Sequence, residues 1–218
     1  MQCFLVVSFA VLASIQAETD VKGNEYASSP WEATFSVDLD GQPGGKQSSF
    51  TVRVHPEWAP EGAKRFQDIV ASGILSDARF FRVVPGFMVQ FGIPGKPDVA
   101  KEWEQKNIPD DPVKETNGRG MMTFATAGPN TRTTQMFINY GNNDFLDGQG
   151  FSPFAQVLGN GMDVVDKIQA KYREQPNQGT IENQGNSYLT AEFPELSFLS
   201  SVTSSLTKGK SFLGKEAL

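Results

Sequence analysis

The chain has 218 residues, 25 Asp and Glu against 19 Lys and Arg, and one histidine, giving a formal net charge of -6 at pH 7. That length fits one domain with one sizeable apolar core, and an acidic balance without a basic stripe excludes a surface that tracks a polyanion, so nucleic acid is not an expected partner. The sole cysteine, Cys3, lies in the N-terminal apolar segment, which leaves the remaining chain without thiol or disulfide chemistry.

Residues 1–17 carry no charged side chain and are rich in Phe, Leu, Val, Ile and Ala. The run is too short for an ordinary membrane span and reads as a secretory signal cleaved after Ala17, although it lacks a Lys or Arg ahead of the apolar part. An uncleaved anchor is the alternative. Cleavage would leave no stable membrane span and place the chain in the endoplasmic reticulum lumen or outside the cell. Residues 18–30 read as a polar linker.

Alternation of large and polar residues over 31–39 and 49–54, broken by Gly41-Gln42-Pro43-Gly44-Gly45, predicts a β-hairpin. Pro60 then opens a segment in which Ala63, Phe66, Ile69 and Val70 recur at helical spacing until Gly73, which predicts an amphipathic helix. Short strand candidates follow at 79–84, 87–91, 120–126, 135–139 and 154–158, separated by Gly, Pro and Asn turns. Such spacing favours a barrel or sandwich. Residues 161–171 suggest a second helix, with Asp early and Lys late, 193–199 a closing strand, and 203–218 a flexible tail.

Three stretches carry chemistry. Residues 80–92 thread Arg82 and Gln90 through an apolar, β-prone run, and an arginine is seldom buried without a partner. Residues 124–139 hold small residues, a turn and a strand of mixed polarity. Phe145-Leu146-Asp147-Gly148 and Phe151-Ser152-Pro153-Phe154 form the third. Other chemistries find little support: His55 is the only histidine, so neither a hydrolase base relay nor a zinc ligand set can be assembled, and Asp110-Asp111 lie in a Pro-rich loop with no aromatic platform for glycoside cleavage.

Together the three stretches resemble the cyclophilin family of peptidyl-prolyl isomerases, and the similarity extends over residues 31–202. The resemblance implies a mostly β fold, a closed antiparallel eight-stranded barrel capped by two α-helices, and a monomer that needs no cofactor. It implies Arg82, Phe87 and Gln90 as catalytic residues, with Met88, Phe137, Leu146, Phe145 and Phe151 around the proline pocket and Ala125, Thr126 and Gln135 on the adjoining groove. Taken singly, each apolar residue fits core packing and Arg82 fits a solvated strand position. Their joint occurrence in the family's order makes them a site.

The sequence also departs from the family pattern: Phe81 stands where histidine is usual, Thr126 where asparagine is frequent, Arg132-Thr133-Thr134 in place of an Asn-Gly-Ser turn, Phe145 in place of a tryptophan, and Phe151 near a usual histidine. These changes are expected to touch the rim of the pocket and to weaken cyclosporin binding. The expected function is cis-trans isomerisation of X-Pro bonds in proline-containing polypeptides, assisting folding in the secretory pathway. The alternatives are a non-catalytic Pro-peptide-binding module and a chaperone-like barrel using the same groove.

Overall fold

In a computed structural model, residues 17–206 are described. The signal segment before Ala17 and the tail beyond Leu206 lie outside the described residues. Eight strands form one antiparallel sheet: β1 (Trp31–Asp38), β2 (Gln47–Val54), β3 (Arg82–Val84), β4 (Met88–Phe91), β5 (Met121–Phe124), β6 (Met136–Asn139), β7 (Pro153–Val157) and β8 (Phe198–Ser204). Their spatial order is β3-β4-β6-β5-β7-β2-β1-β8.

The expected closed barrel is an open, curled sheet. β3 and β8 end the strand order, and no ladder joins them. The residues just before β3 reach across instead: Asp77 and Phe80 donate backbone N–H groups to Leu199 and Ser197, Leu199 donates back to Ala78, and Arg79 and Phe198 form one isolated bridge. The curl encloses the main core, in which Phe35 stacks on its cross-strand partner Phe50 with ring centroids 4.9 Å apart.

The predicted first helix is α1 (Pro60–Ser72), whose Ala63, Phe66 and Ile69 are buried against the sheet. Ala59 offers it no side-chain cap. Asp111, from the Pro-rich loop, accepts from the N–H groups of Glu61 at 3.1 Å and Gly62 at 2.8 Å, so a carboxylate satisfies the positive end of the helix from 50 residues away. Gly73, with φ 75°, closes the other end.

The segment read as a polar linker is docked on α1. Asp20 accepts from the backbone of Lys22 and Asn24 and from the Gln67 side chain, while the Tyr26 hydroxyl donates to Asp68 at 3.0 Å. The hydrophilic composition of residues 18–30 is therefore the composition of a hydrogen-bonded flap.

The other helices differ from the expectation of two caps. α2 (Pro97–Glu104), α4 (Gln178–Gln184) and α5 (Asn186–Glu192) are additional, and the predicted helix at 161–171 shrinks to α3 (Met162–Val165). It stops because the bonds after it tighten to three-residue turns and the Gln169 N–H goes to the Ser197 hydroxyl at 3.0 Å. The closing strand starts at Phe198, not residue 193, since Phe193 still caps α5 and donates its N–H to Leu189. Helices α2, α4 and α5 share a second small core in which Phe81, Ile93, Ala100, Ile181 and Leu189 are buried. Among the described residues no helix is long and apolar enough to cross a membrane.

Candidate active site

Strand alternation assigns the site to one face of the sheet. On β4, Val89 and Phe91 enter the main core, so Met88 and Gln90 point the other way; on β6, Met136 and Ile138 go inward and Phe137 outward. Cross-strand register then lines up the site: Arg82 pairs with Gln90, and Gln90 with Phe137. Both faces of these strands are covered, which is why the sequence there is largely apolar instead of strictly alternating.

The outer cover is the 3₁₀ turn Asp144–Gln149, which presses Leu146 onto Met88 and Phe137 to form an apolar cluster separate from the main core. A buried amide network fixes that turn. Asn143 donates from Nδ2 to the Phe87 carbonyl at 2.8 Å and to Asn139 Oδ1 at 2.7 Å. Asn117 donates to Asp147 Oδ1 at 2.7 Å and to the Phe151 carbonyl at 2.8 Å, and accepts from the Thr123 hydroxyl at 2.9 Å. Burial alone would raise the Asp147 carboxyl, but hydrogen bonds from Thr116 and Asn117 outweigh it and hold the group below its usual range.

These elements enclose a cavity of about 320 Å³. Of the expected site residues, Arg82, Phe87, Met88, Gln90, Ala125, Thr126, Gln135, Phe137, Leu146 and Phe151 all line it. Phe145 does not. It stands 57% exposed on the rim and stacks on Phe87 with ring centroids 5.9 Å apart. Thr126 commits its hydroxyl locally, to the Gly128 carbonyl and to the Thr131 hydroxyl, so its part in the wall is steric.

Two departures from the family pattern that were expected at the rim are structural. Phe81 is fully buried in the second core. Arg132 is buried too, paired with Asp110 and donating to the Gly150 carbonyl at 2.6 Å.

Arg82 is 32% exposed in its side chain and is held from two sides. Its Nε and Nη2 lie 2.7 and 2.6 Å from Glu174 Oε1, and its Nη1 donates to Gln90 Oε1 at 3.3 Å. Gln90 Nε2 donates in turn to Gln135 Oε1 at 2.8 Å. That contact needs a close approach of β4 to β6: a Cβ on Gly92, where φ is 110°, would lie 2.3 Å from the Thr134 carbonyl oxygen. Sequence reasoning missed Glu174 and the cavity-lining Gln178, which come from the segment between α3 and α5. The only local signal was Asn177, which caps α4 by accepting from the Thr180 N–H at 2.9 Å.

No acid, histidine or cysteine is among the residues lining this cavity, which offers apolar side chains, one fixed cation, three glutamine amides and three threonines. Such a site suits a reaction that turns a bond without breaking one. The chain belongs to the cyclophilin-type peptidyl-prolyl cis-trans isomerase family, whose model matches residues 39–185. It is 39% identical over 127 residues to peptidyl-prolyl cis-trans isomerase B of Escherichia coli, covering 54% of this chain and 76% of that protein. It is 38% identical over 136 residues to isomerase A of Dickeya dadantii, covering 57% of this chain and 67% of that protein. A crystal structure of a cyclophilin-type isomerase from Cryptosporidium parvum shares the fold at 17% identity, with a TM-score of 0.55 over 80% of this chain and 97% of that one.

Proposed function

We propose that the chain accelerates cis-trans interconversion of X-Pro bonds in polypeptides, with Arg82 as the catalytic cation and the proline ring seated among Phe87, Met88, Phe137 and Leu146. Rotation about the imide loses amide resonance and meets a barrier of about 18–20 kcal/mol. In the twisted state the proline nitrogen pyramidalises and gains a lone pair, so a fixed donor aimed at it stabilises the transition state over either planar ground state. Arginine suits this role because it stays charged and presents a rigid fork. The apolar wall excludes water from the twisting bond and strengthens that interaction.

The observation that carries this reading is the placement of Arg82 at the edge of an apolar cavity, its Nε edge tied to Glu174 and its Nη1 turned toward Gln90. Gln90 keeps the guanidinium in register, Gln135 and Ala125 border the path of the substrate backbone, and Phe145 and Phe151 shape the rim. The charge-free apolar run at residues 1–17 supports action on chains folding in the secretory pathway.

The test is exchange NMR on a short X-Pro peptide with the full-length chain. Cis-trans exchange faster than in the free peptide is expected. Binding of the peptide by a folded chain, with exchange no faster than in buffer, overturns catalysis and leaves a peptide-holding module.

A further inference from the structure

The polar side chains at the cavity form a chain of hydrogen bonds with one direction. Arg82 Nη1 donates to Gln90 Oε1, Gln90 Nε2 to Gln135 Oε1 at 2.8 Å, and Gln135 Nε2 to Glu182 Oε1 at 3.4 Å. A glutamine amide by itself can be turned either way. Here the arginine end settles the matter: a guanidinium can only donate, so Gln90 Oε1 faces Arg82 and Gln90 Nε2 faces Gln135 Oε1, which leaves Gln135 Nε2 to donate to Glu182.

We propose that Glu182, which lies outside the cavity wall, is a positioning residue that anchors the acceptor end of the Gln135–Gln90 pair and thereby holds the two amides and the guanidinium of Arg82 in place. With the chain reversed, Gln90 Nε2 would face Arg82 Nη1, donor against donor, and push the guanidinium off its seat. With it in the observed sense, each amide keeps a second N–H free, and both glutamines line the cavity, where those hydrogens can meet a carbonyl of the bound peptide.

The fold supplies Glu182 through an element outside the eight-stranded sheet. Glu182 sits on α4, directly after Ile181, which is buried in the small core with Phe81, Ile93 and Ala100. Phe81 adjoins Arg82 in sequence, so one apolar cluster fixes the strand that carries the cation and the helix that carries the terminal acceptor. Burial, followed by the charge of the neighbouring Glu104 on α2 and a hydrogen bond with that carboxyl, raises the Glu182 carboxyl above its usual range. This inference rests on the isomerase reading above, since it assigns Glu182 a role in that reaction.

Two variants decide it. Glu182→Gln supplies an end group that can donate as well as accept, and Glu182→Asp keeps the carboxyl group but withdraws the acceptor by one methylene. Each is measured by peptide-exchange NMR for kcat and KM, and by the side-chain NH2 resonances of Gln90 and Gln135 in the ligand-free protein. The expected result in both is a fall in kcat of about three- to tenfold, the size of one neutral hydrogen bond, with KM little changed and the melting temperature preserved. The Gln90 and Gln135 resonances should shift or double.

A fall in activity with both sets of amide resonances unmoved would overturn the proposal, and so would wild-type kcat in both variants. If the wild-type chain itself fails to catalyse exchange, the isomerase reading fails. The amide resonances of the variants then still report whether Glu182 orders the two glutamines, and unmoved resonances refute it.

Discussion

Arg82→Lys separates the charge of the proposed catalytic cation from its geometry. The guanidinium uses three nitrogens at once, Nε at 2.7 Å and Nη2 at 2.6 Å from Glu174 and Nη1 at 3.3 Å from Gln90. A lysine ammonium is a single point on a flexible stem and cannot serve Glu174 and the cavity together. The carboxylate, being the stronger acceptor, should draw it outward. The lost contact to the twisting nitrogen is a charged hydrogen bond, worth about 1.5–3 kcal/mol, which corresponds to a fall in kcat of roughly 10- to 150-fold. Stability should hardly move, because the Glu174 side chain is 56% exposed and an ion pair of that exposure contributes about 0.2–1 kcal/mol. Exchange NMR on one X-Pro peptide, with the melting temperature measured in parallel, gives both numbers. A lysine variant that keeps more than a third of wild-type kcat would refute the reasoning, because charge alone would then suffice.

Phe145→Trp should tighten cyclosporin binding about tenfold in a titration, restoring at the exposed rim the tryptophan that the family resemblance implies; unchanged affinity would refute the expectation that this residue limits binding. No histidine lines the cavity, so kcat/KM should vary less than about twofold between roughly pH 6.5 and 8, where an ordinary histidine titrates, and a sigmoid removed by His55→Gln would contradict this. For Asp20, burial raises the carboxyl but hydrogen bonds from Asn24, Gln67 and Lys22 outweigh it, so its value is lowered on folding. Its stabilisation is then present above the ordinary aspartate value of about 3.9 and is lost as pH falls through the lowered one, so Asp20→Asn should lower the melting temperature at pH 7 and converge with wild type under acid. Gly92→Ala should reduce both stability and activity, by about 1–3 kcal/mol in the first, because its Cβ would displace Thr134 and stretch the bond between Gln90 and Gln135; a fully active variant would show that the close approach of β4 to β6 is dispensable.

Much of the sheet and its first helix was legible because the signals are local. The Pro60 start, the Ala63-Phe66-Ile69 spacing and the Gly73 stop define α1 without reference to anything else, and the alternation in 31–39 is the burial pattern of β1. The second helix was over-read because Asp163 early and Lys167 late satisfy a helix rule, whereas a hydroxyl from residue 197, remote in sequence, takes the N–H that the helix needed. α2 escaped notice because only Ala100 and Trp103 of its eight residues are buried, too few to show a period. The flap at residues 18–30 was invisible as structure, since its partners Gln67 and Asp68 lie some 40 residues away and its own residues are polar.

The site divided along the same line. Residues that sit on strands could be found through family motifs, because Arg82, Gln90 and Phe137 occupy cross-strand register positions that the barrel dictates. What holds them could not. Glu174 is 92 residues from Arg82, and Gln135 is 47 from Glu182, and the loop carrying Glu174 is tied to β3 by the backbone bond from the Val83 N–H to the Arg173 carbonyl at 2.9 Å. A cation at the mouth of an apolar cavity is costly unless something outside the cavity balances it. In this chain that balance comes from the segment between α3 and β8, packed by a core of its own. The geometry around Arg82 thus draws on two cores: one sets the strands, and the other packs the segment that carries Glu174 and Glu182.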